Sequence, residues 1–444
     1  MLLIGNGDVI TRDGARPLVK RGAVAVEGGR IVSVGPYEAL KAQYPGAEVL
    51  DARGGVIMPG LINAHNHIYS AFARGMAIKG YQAKGFLEIL DGLWWTLDRH
   101  LKNPDTRLSA DMTFVDCIEN GVTTVVDHHA SYGEIEGSLN QIADSAKAYG
   151  VRACLCYEVS DRDGPDKMMQ GVRENEAFIR YAKRDDTGRL AALFGLHAPF
   201  TLSDATLETC AARNPGAGYH IHVAEGIDDV LINLREHGKR PAFRLHDFGI
   251  LGENTLLGHC THVSEAEIDL IRETQSMVGH NPESNMGNAI GCPPVIRMFQ
   301  KGVTIGLGTD GYTNDMLESY KVGNLLHKHN LADPSAAWAE IPAMLFGNNA
   351  KMASRMFGRE IGVLREGAAA DVIVVDYNPP TPLTEDNING HVLFGMSGRM
   401  VTATVCGGKV LMKDRALMNA DKPALMAKCR EAAGALWAQI NEDR

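Results

Sequence analysis

Between two β-rich ends, eight short apolar segments recur along this chain. They lie near 61–65, 122–128, 152–158, 190–197, 219–223, 255–259, 275–280 and 303–309, with helical stretches between them. A strand followed by a helix returns in parallel to its neighbour, and parallel strands need both faces covered. Repeated eight times over residues 58–357, the pattern fits an α/β fold of the (β/α)8 TIM-barrel type, which takes roughly 250 residues. The ends read differently. Residues 1–57 hold short alternating strands (Ala23 to Glu27, then Arg30 to Val34) around a Gly28-Gly29 turn, and 358–420 repeat the theme around Gly407-Gly408. Neither piece is long enough for a well-buried sheet of its own. The two are expected to join as one small β-sandwich domain, with 421–444 as a C-terminal helix.

Composition narrows the function classes. Lys plus Arg number 44 against 54 for Asp plus Glu, a formal net charge of −10. Nucleic acid and anionic membranes need clustered positive charge, so neither is an expected partner. No apolar run approaches the roughly 18 residues of a spanning helix. Met1-Leu2-Leu3-Ile4 gives way at once to Gly5-Asn6-Gly7-Asp8, which lacks a secretory signal core. Eight cysteines are scattered without a Cys-x-x-Cys pair, the usage of reduced thiols in a cytoplasmic protein.

Chemistry collects at the strand ends. The first ends Ala64-His65-Asn66-His67, the fourth carries His197, and the fifth reads His220-Ile-His222-Val-Ala-Glu225. The sixth ends in His259, the seventh in His280, and the eighth in Gly308-Thr309-Asp310. Barrel active sites sit at the C-terminal strand ends, so these side chains converge on one mouth. Residues two apart on a strand share a face, which lets His65 and His67 grip one ion together. With His222 and Asp310 they make a set of imidazoles plus a carboxylate, suited to zinc and also to divalent iron. His220 is expected one pair deeper than His222. Gly306-Leu-Gly308-Thr-Asp310-Gly311 matches a dinucleotide-binding Gly-x-Gly-x-x-Gly, but no second strand follows and Asp310 sits where pyrophosphate would lie. Trp94 and Trp95 fall on an apparent helix between Phe86 and Arg99. Adjacent helical positions point about 100° apart, so at most one is expected to line a pocket.

Pro59 to His67 (PGLINAHNH) resembles the opening motif of the amidohydrolase superfamily. His222-Val-Ala-Glu225, Gly258 to His262 (GHCTH), His280 to Asn285 (HNPESN) and Gly308 to Gly311 (GTDG) follow in that family's order, and Gly362 to Asp371 is similar to its small-domain signature. The branch it most resembles holds cytosine, guanine and S-adenosylhomocysteine deaminases and triazine hydrolases. Within it, LWWTLDR (93–99) and DHHAS (127–131) are similar to SsnA-type aminohydrolases. The resemblance implies that His65, His67, His222 and Asp310 hold one metal. Glu225 would be the proton shuttle, and His259 would hydrogen-bond the attacking water. His197 would contact a small heterocyclic substrate, with Arg74, Trp95 and His128 as further substrate candidates. The superfamily also implies a homodimer or larger homo-oligomer. Two-metal members carry a lysine at the end of strand four, and 190–197 has none, which favours a mononuclear site.

The expected reaction is hydrolytic deamination of an amino-substituted nitrogen heterocycle, of isocytosine, cytosine or guanine type. Asp310 or Glu225 would accept a proton from water, and Glu225 would pass it to the ring nitrogen and the departing ammonia. Three alternatives stand beside it. A triazine-type chlorohydrolase or N-dealkylating hydrolase would keep the machinery, but Glu225 helps an amine leave more than it helps chloride. Opening of a cyclic amide is weakened by the missing lysine. A non-catalytic scaffold would have shed ligands, and here every ligand position is filled.

Overall fold

The computed structural model describes all 444 residues. Its centre is a barrel of eight parallel strands: Leu61–Asn66, Val122–Asp127, Arg152–Leu155, Leu190–Ala192 with Phe194–Leu196, Tyr219–Val223, Leu256–His259, Met277–His280 and Thr304–Leu307. The fourth is broken at Leu193, which leaves four strands hydrogen-bonded on one side of the break and five on the other. Leu193 N–H still donates to the Leu155 carbonyl at 3.1 Å, and His197 N–H to Val159 at 2.9 Å, so the third and fourth strands stay side by side. The barrel closes where the His65 carbonyl accepts from Thr309 N–H (3.0 Å) and Asp310 N–H (2.9 Å). Ala64, Val126, Cys154, Leu256 and Met277 of the strands pack with Met352 of the helix Asn349–Phe357 into one apolar cluster.

Several strands stop earlier than the apolar runs predict: 152–158 is strand only to Leu155, and 303–309 only to Leu307. At the mouth the backbone turns aside. Ala224 (φ 48°), His259 (φ 65°), Cys260 (φ 53°) and Asp310 (φ 54°) sit in the left-handed region, which non-glycine residues enter at a cost. Apolar composition cannot register that turn, because these residues stay buried after they leave the ladder.

The chain ends form one continuous nine-stranded sheet. Val56–Pro59 joins the halves, running antiparallel to Val372–Val375 with Ile57 opposite Val374 and parallel to Leu2–Ile10. The sheet curls, so that Val24, Val26 and Ile31 share one apolar cluster with Val372, Val374 and Val405. Gly28 (φ 57°) and Gly29 (φ 78°) make the two-residue hairpin turn, and a side chain at Gly29 would press on the Gly407 carbonyl at 3.1 Å. The C-terminal helix Lys422–Glu442 lies against Asn103–Glu119 on the barrel.

One buried ion pair ties sheet to barrel. Arg152, first residue of the third barrel strand, meets Asp371 at 2.9 and 3.1 Å, and both are almost fully buried. Asp371 also accepts from Gly407 N–H at 2.6 Å. Burial disfavours the Asp371 charge, but Arg152 outweighs it and holds the carboxyl below its ordinary range. Asp371→Ala leaves Arg152 charged and unpaired, and should cost about 3–5 kcal/mol in urea or thermal denaturation.

Candidate metal centre and active site

Four histidines and a carboxylate from the ends of four strands crowd one point at the mouth. Ligand-capable atoms of His65, His67 and His222 lie within 4.8 Å of one another, and so do those of His65, His259 and Asp310. Hydrogen bonds fix the orientation of the rings. His67 Nδ1 faces the His128 carbonyl at 2.6 Å and His222 Nδ1 the His197 carbonyl at 3.0 Å. A carbonyl only accepts, so both Nδ1 atoms carry protons and both Nε2 atoms present lone pairs to the centre. Those Nε2 atoms stand 3.2 Å apart. Two ligands of a tetrahedral zinc at 2.0–2.1 Å would be separated by roughly 3.3 Å. His65 turns Nδ1 to His220 Nε2 at 2.7 Å, and its Nε2 is buried with no hydrogen-bond partner. Asp310 Oδ1 lies 2.8 Å from His67 Nε2 and 3.7 Å from His65 Nε2. Converging lone pairs, an orphaned buried nitrogen and a carboxylate fit one divalent cation.

Burial alone would discharge every group here, and it holds His65 down to about 4. Asp310 beside His67 overrides burial and raises that ring to about 9, so a cation that takes the Nε2 lone pair displaces a proton. Asp310 stays well below the ordinary carboxylate range: burial opposes its charge, and His67 with its neighbours prevails. Ser284 Oγ donates to the second Asp310 oxygen, and Asn66 Nδ2 to the Asp310 backbone carbonyl at 3.2 Å.

Glu225 stands beside this group. Its carboxylate lies 3.6 Å from His259 Nε2, and burial pushes it above the ordinary range. His259 turns Nδ1 to Asn285 Oδ1 at 2.8 Å and presents Nε2, also 3.7 Å from Asp310. An inner cavity is lined by His67, Tyr69, Trp94, Trp95, His197, His222, Glu225, Asn288 and Asp310, together with Glu158. It meets an outer cavity of ≈ 260 Å³ that reaches Ser70, Arg74 and Tyr312.

The remaining sequence candidates divide. His197 and Trp95 form one wall, ring centroids 5.8 Å apart. Trp94 lines the cavity as well, against the expectation that only one of the pair would. The helix opens into a π-helical turn at Leu90–Trp94, which changes the angle between successive side chains and brings both indoles to the same side. Arg74 sits at the outer rim, mostly exposed and paired with Asp116 at 2.9 Å. The His128 ring is fully buried behind His67, its Nε2 on the Leu196 carbonyl at 2.9 Å, and lines neither cavity. Its backbone carbonyl, by orienting His67, is what reaches the centre. Sequence reasoning missed Glu158, although a single acidic residue closes the apolar run 152–158. It also left Ser284 and Asn285 without a role, though both lie in the HNPESN motif.

The sequence profile of the amidohydrolase family matches residues 56–411. This chain belongs to that family. Residues 22–47 also match an imidazolonepropionase-like composite domain of bacteria. Among similar proteins, the 5′-deoxyadenosine deaminase of Methanosarcina mazei is 32% identical over 447 residues, covering 99% of each chain. The 5-methylthioadenosine/S-adenosylhomocysteine deaminase of Pelotomaculum thermopropionicum is 29% identical over 97% of this chain and 98% of its own. The crystal structure of an adenosine deaminase from Xanthomonas campestris with bound zinc superimposes with a TM-score of 0.87 at 24% identity, covering 98% of each chain. As an amidohydrolase the chain is a hydrolase, and the histidine–aspartate cluster could hold a divalent metal ion.

Elemental analysis should find one divalent ion per chain. Asp310→Ala should weaken its retention against a chelator by more than the roughly 10–100-fold typical of losing an outer-sphere partner.

Proposed function

We propose that this amidohydrolase is a hydrolytic deaminase of an amino-substituted nitrogen heterocycle of nucleobase type. The observation that carries the reading is Glu225. It is a mostly buried carboxylate in the wall of the inner cavity, next to Asp310 and His259 but outside the cluster that fits the metal. The names of the relatives support the same reaction class.

His65, His67, His222 and Asp310 would hold one divalent ion, zinc by the chemistry of the donors. Bound there, zinc supplies Lewis acidity, which lowers the pKa of a water from 15.7 to about 7. The protein's residues do the rest. Asp310, held anionic, takes up a proton from the attacking water. Glu225, with its carboxyl raised by burial, exchanges protons near neutrality and carries one to the ring nitrogen next to the reacting carbon. It then relays the proton that Asp310 took up to the departing amine, and regains its own from the new hydroxyl as the carbonyl forms. His259, with Nδ1 turned to Asn285, aims Nε2 at the oxygen that gains charge as the carbon becomes tetrahedral. Trp95 and His197 flank the heterocycle, and the Trp94 and Trp95 indoles keep bulk water out.

A purine nucleoside of adenosine type is a second reading, favoured by the relatives' names and by an outer cavity continuous with the inner one. The test is ammonia release by the zinc-loaded protein from guanine, isocytosine, cytosine, adenosine and 5′-deoxyadenosine. Glu225→Ala should keep its metal and lose about 10²–10⁴-fold in kcat. Undiminished turnover in metal-replete Glu225→Ala, or chloride release from a chlorotriazine without any deamination, would overturn the proposal.

A further inference from the structure

Glu158 is a buried carboxylate that the reaction as described does not use. It is 3% exposed, lines the inner cavity, and accepts no hydrogen bond from the protein. Its nearest nitrogens are His128 Nδ1 at 3.6 Å, Arg162 at 3.7 Å and His197 Nε2 at 3.9 Å. The two imidazole nitrogens bring it no proton. His128 Nε2 faces the Leu196 carbonyl at 2.9 Å, so the ring proton is on Nε2 and Nδ1 is a bare lone pair. His197, with Nδ1 2.7 Å from Thr201 Oγ1, holds Nε2 at 3.9 Å from the carboxylate, beyond hydrogen-bond distance. The Arg162 guanidinium hydrogen-bonds Asp98 through both terminal nitrogens, and its nearest nitrogen stays 3.7 Å from Glu158, beyond hydrogen-bond distance. The Glu158 carboxylate thus faces the inner cavity beside His197, and no protein donor lies within hydrogen-bond distance of it. Leaving such an acceptor unmatched is costly, so the cavity suits a ligand that brings its own N–H.

Position says where on the ligand that N–H lies. Ligand atoms of Glu158, His128 and the metal-site residue His222 are all within 4.8 Å of one another. Glu158 therefore reaches the same ring as the carbon that reacts at the metal. A sugar across a purine from that carbon is out of its range. We infer that Glu158 is a specificity-determining residue, which accepts a hydrogen bond from a ring N–H adjacent to the amino-bearing carbon. This rests on the deaminase reading and narrows its substrate class to cyclic guanidines, that is 2-amino-4-oxopyrimidine rings, alone or fused. In adenine and cytosine the ring nitrogen next to the amino carbon is itself an acceptor and would meet Glu158 lone pair to lone pair.

The experiment compares isocytosine and guanine with 5′-deoxyadenosine and cytosine, in the wild-type holoenzyme and in Glu158→Gln. A site built around a substrate N–H rejects analogues without it by about 10⁴–10⁵-fold in kcat/KM. The wild-type ratio alone reads that preference, with no variant required. Glu158→Gln should keep its zinc and its Tm, and lose about 10–100-fold in kcat/KM on isocytosine, carried by KM. Equal turnover of 5′-deoxyadenosine and isocytosine would overturn the inference while deamination stands. So would equal losses on all substrates, or a second metal ion per chain that Glu158→Gln fails to retain. If no compound yields ammonia, the deaminase reading falls, and calorimetry with uracil and 4-aminopyrimidine still decides on Glu158. Tighter binding of uracil, lost in Glu158→Gln, supports the N–H subsite; equal binding overturns it.

Discussion

The carbonyl of His65 accepts the N–H groups of both Thr309 and Asp310, and through that contact the first and last barrel strands meet. The same few residues supply the imidazole of His65 and the carboxylate of Asp310 to the metal site. Closing the barrel and assembling the ligands are therefore one event. Asn63 and Asn66 reinforce the seam by donating to Thr309 Oγ1 at 2.6 and 3.1 Å. A ligand set spread over about 245 residues of sequence is held to within hydrogen-bond distances by the geometry of a closed sheet, with no flexible segment involved.

Burial is the other force shaping the site, because it makes each polar atom depend on its partner. Backbone carbonyls of His128 and His197 fix the tautomers of His67 and His222, and so aim lone pairs at one point. The same reasoning distinguishes the three acidic side chains around the cavity. Asp310 is compensated by His67 and stays ionised, whereas Glu225 and Glu158 lack strong compensation and are raised. Carboxylates of one chemical type are thereby suited to the separate tasks proposed for them, holding a cation, moving protons and recognising a ligand.

Much of this was legible in the residues themselves. Apolar runs of strand length mark the eight barrel strands, since each must be buried on both faces. The spacing of His65 and His67, and the place of His222 and Asp310 at strand ends, announce a metal because strand geometry turns such spacing into shared direction. Other features left no such trace. The π-helical turn that lets both Trp94 and Trp95 face the cavity depends on the hydrogen bonding of a whole helix, which residue-by-residue periodicity averages away. His128 looked like a ligand-facing residue, but it acts through its carbonyl, and any amino acid has one.

Glu158 shows where the division lies. The sequence by itself determined the barrel, and pointed to a small β domain shared by the two chain ends and to the donors proposed for the metal, because these follow from hydrophobic period and from donor chemistry. Only the tertiary structure decided which way each imidazole presents its lone pair, which buried acids are compensated, and which acceptors face the cavity unmatched. Those properties belong to contacts between residues far apart in the chain, such as His128 with Leu196 and Glu158 with His197. No local pattern encodes them.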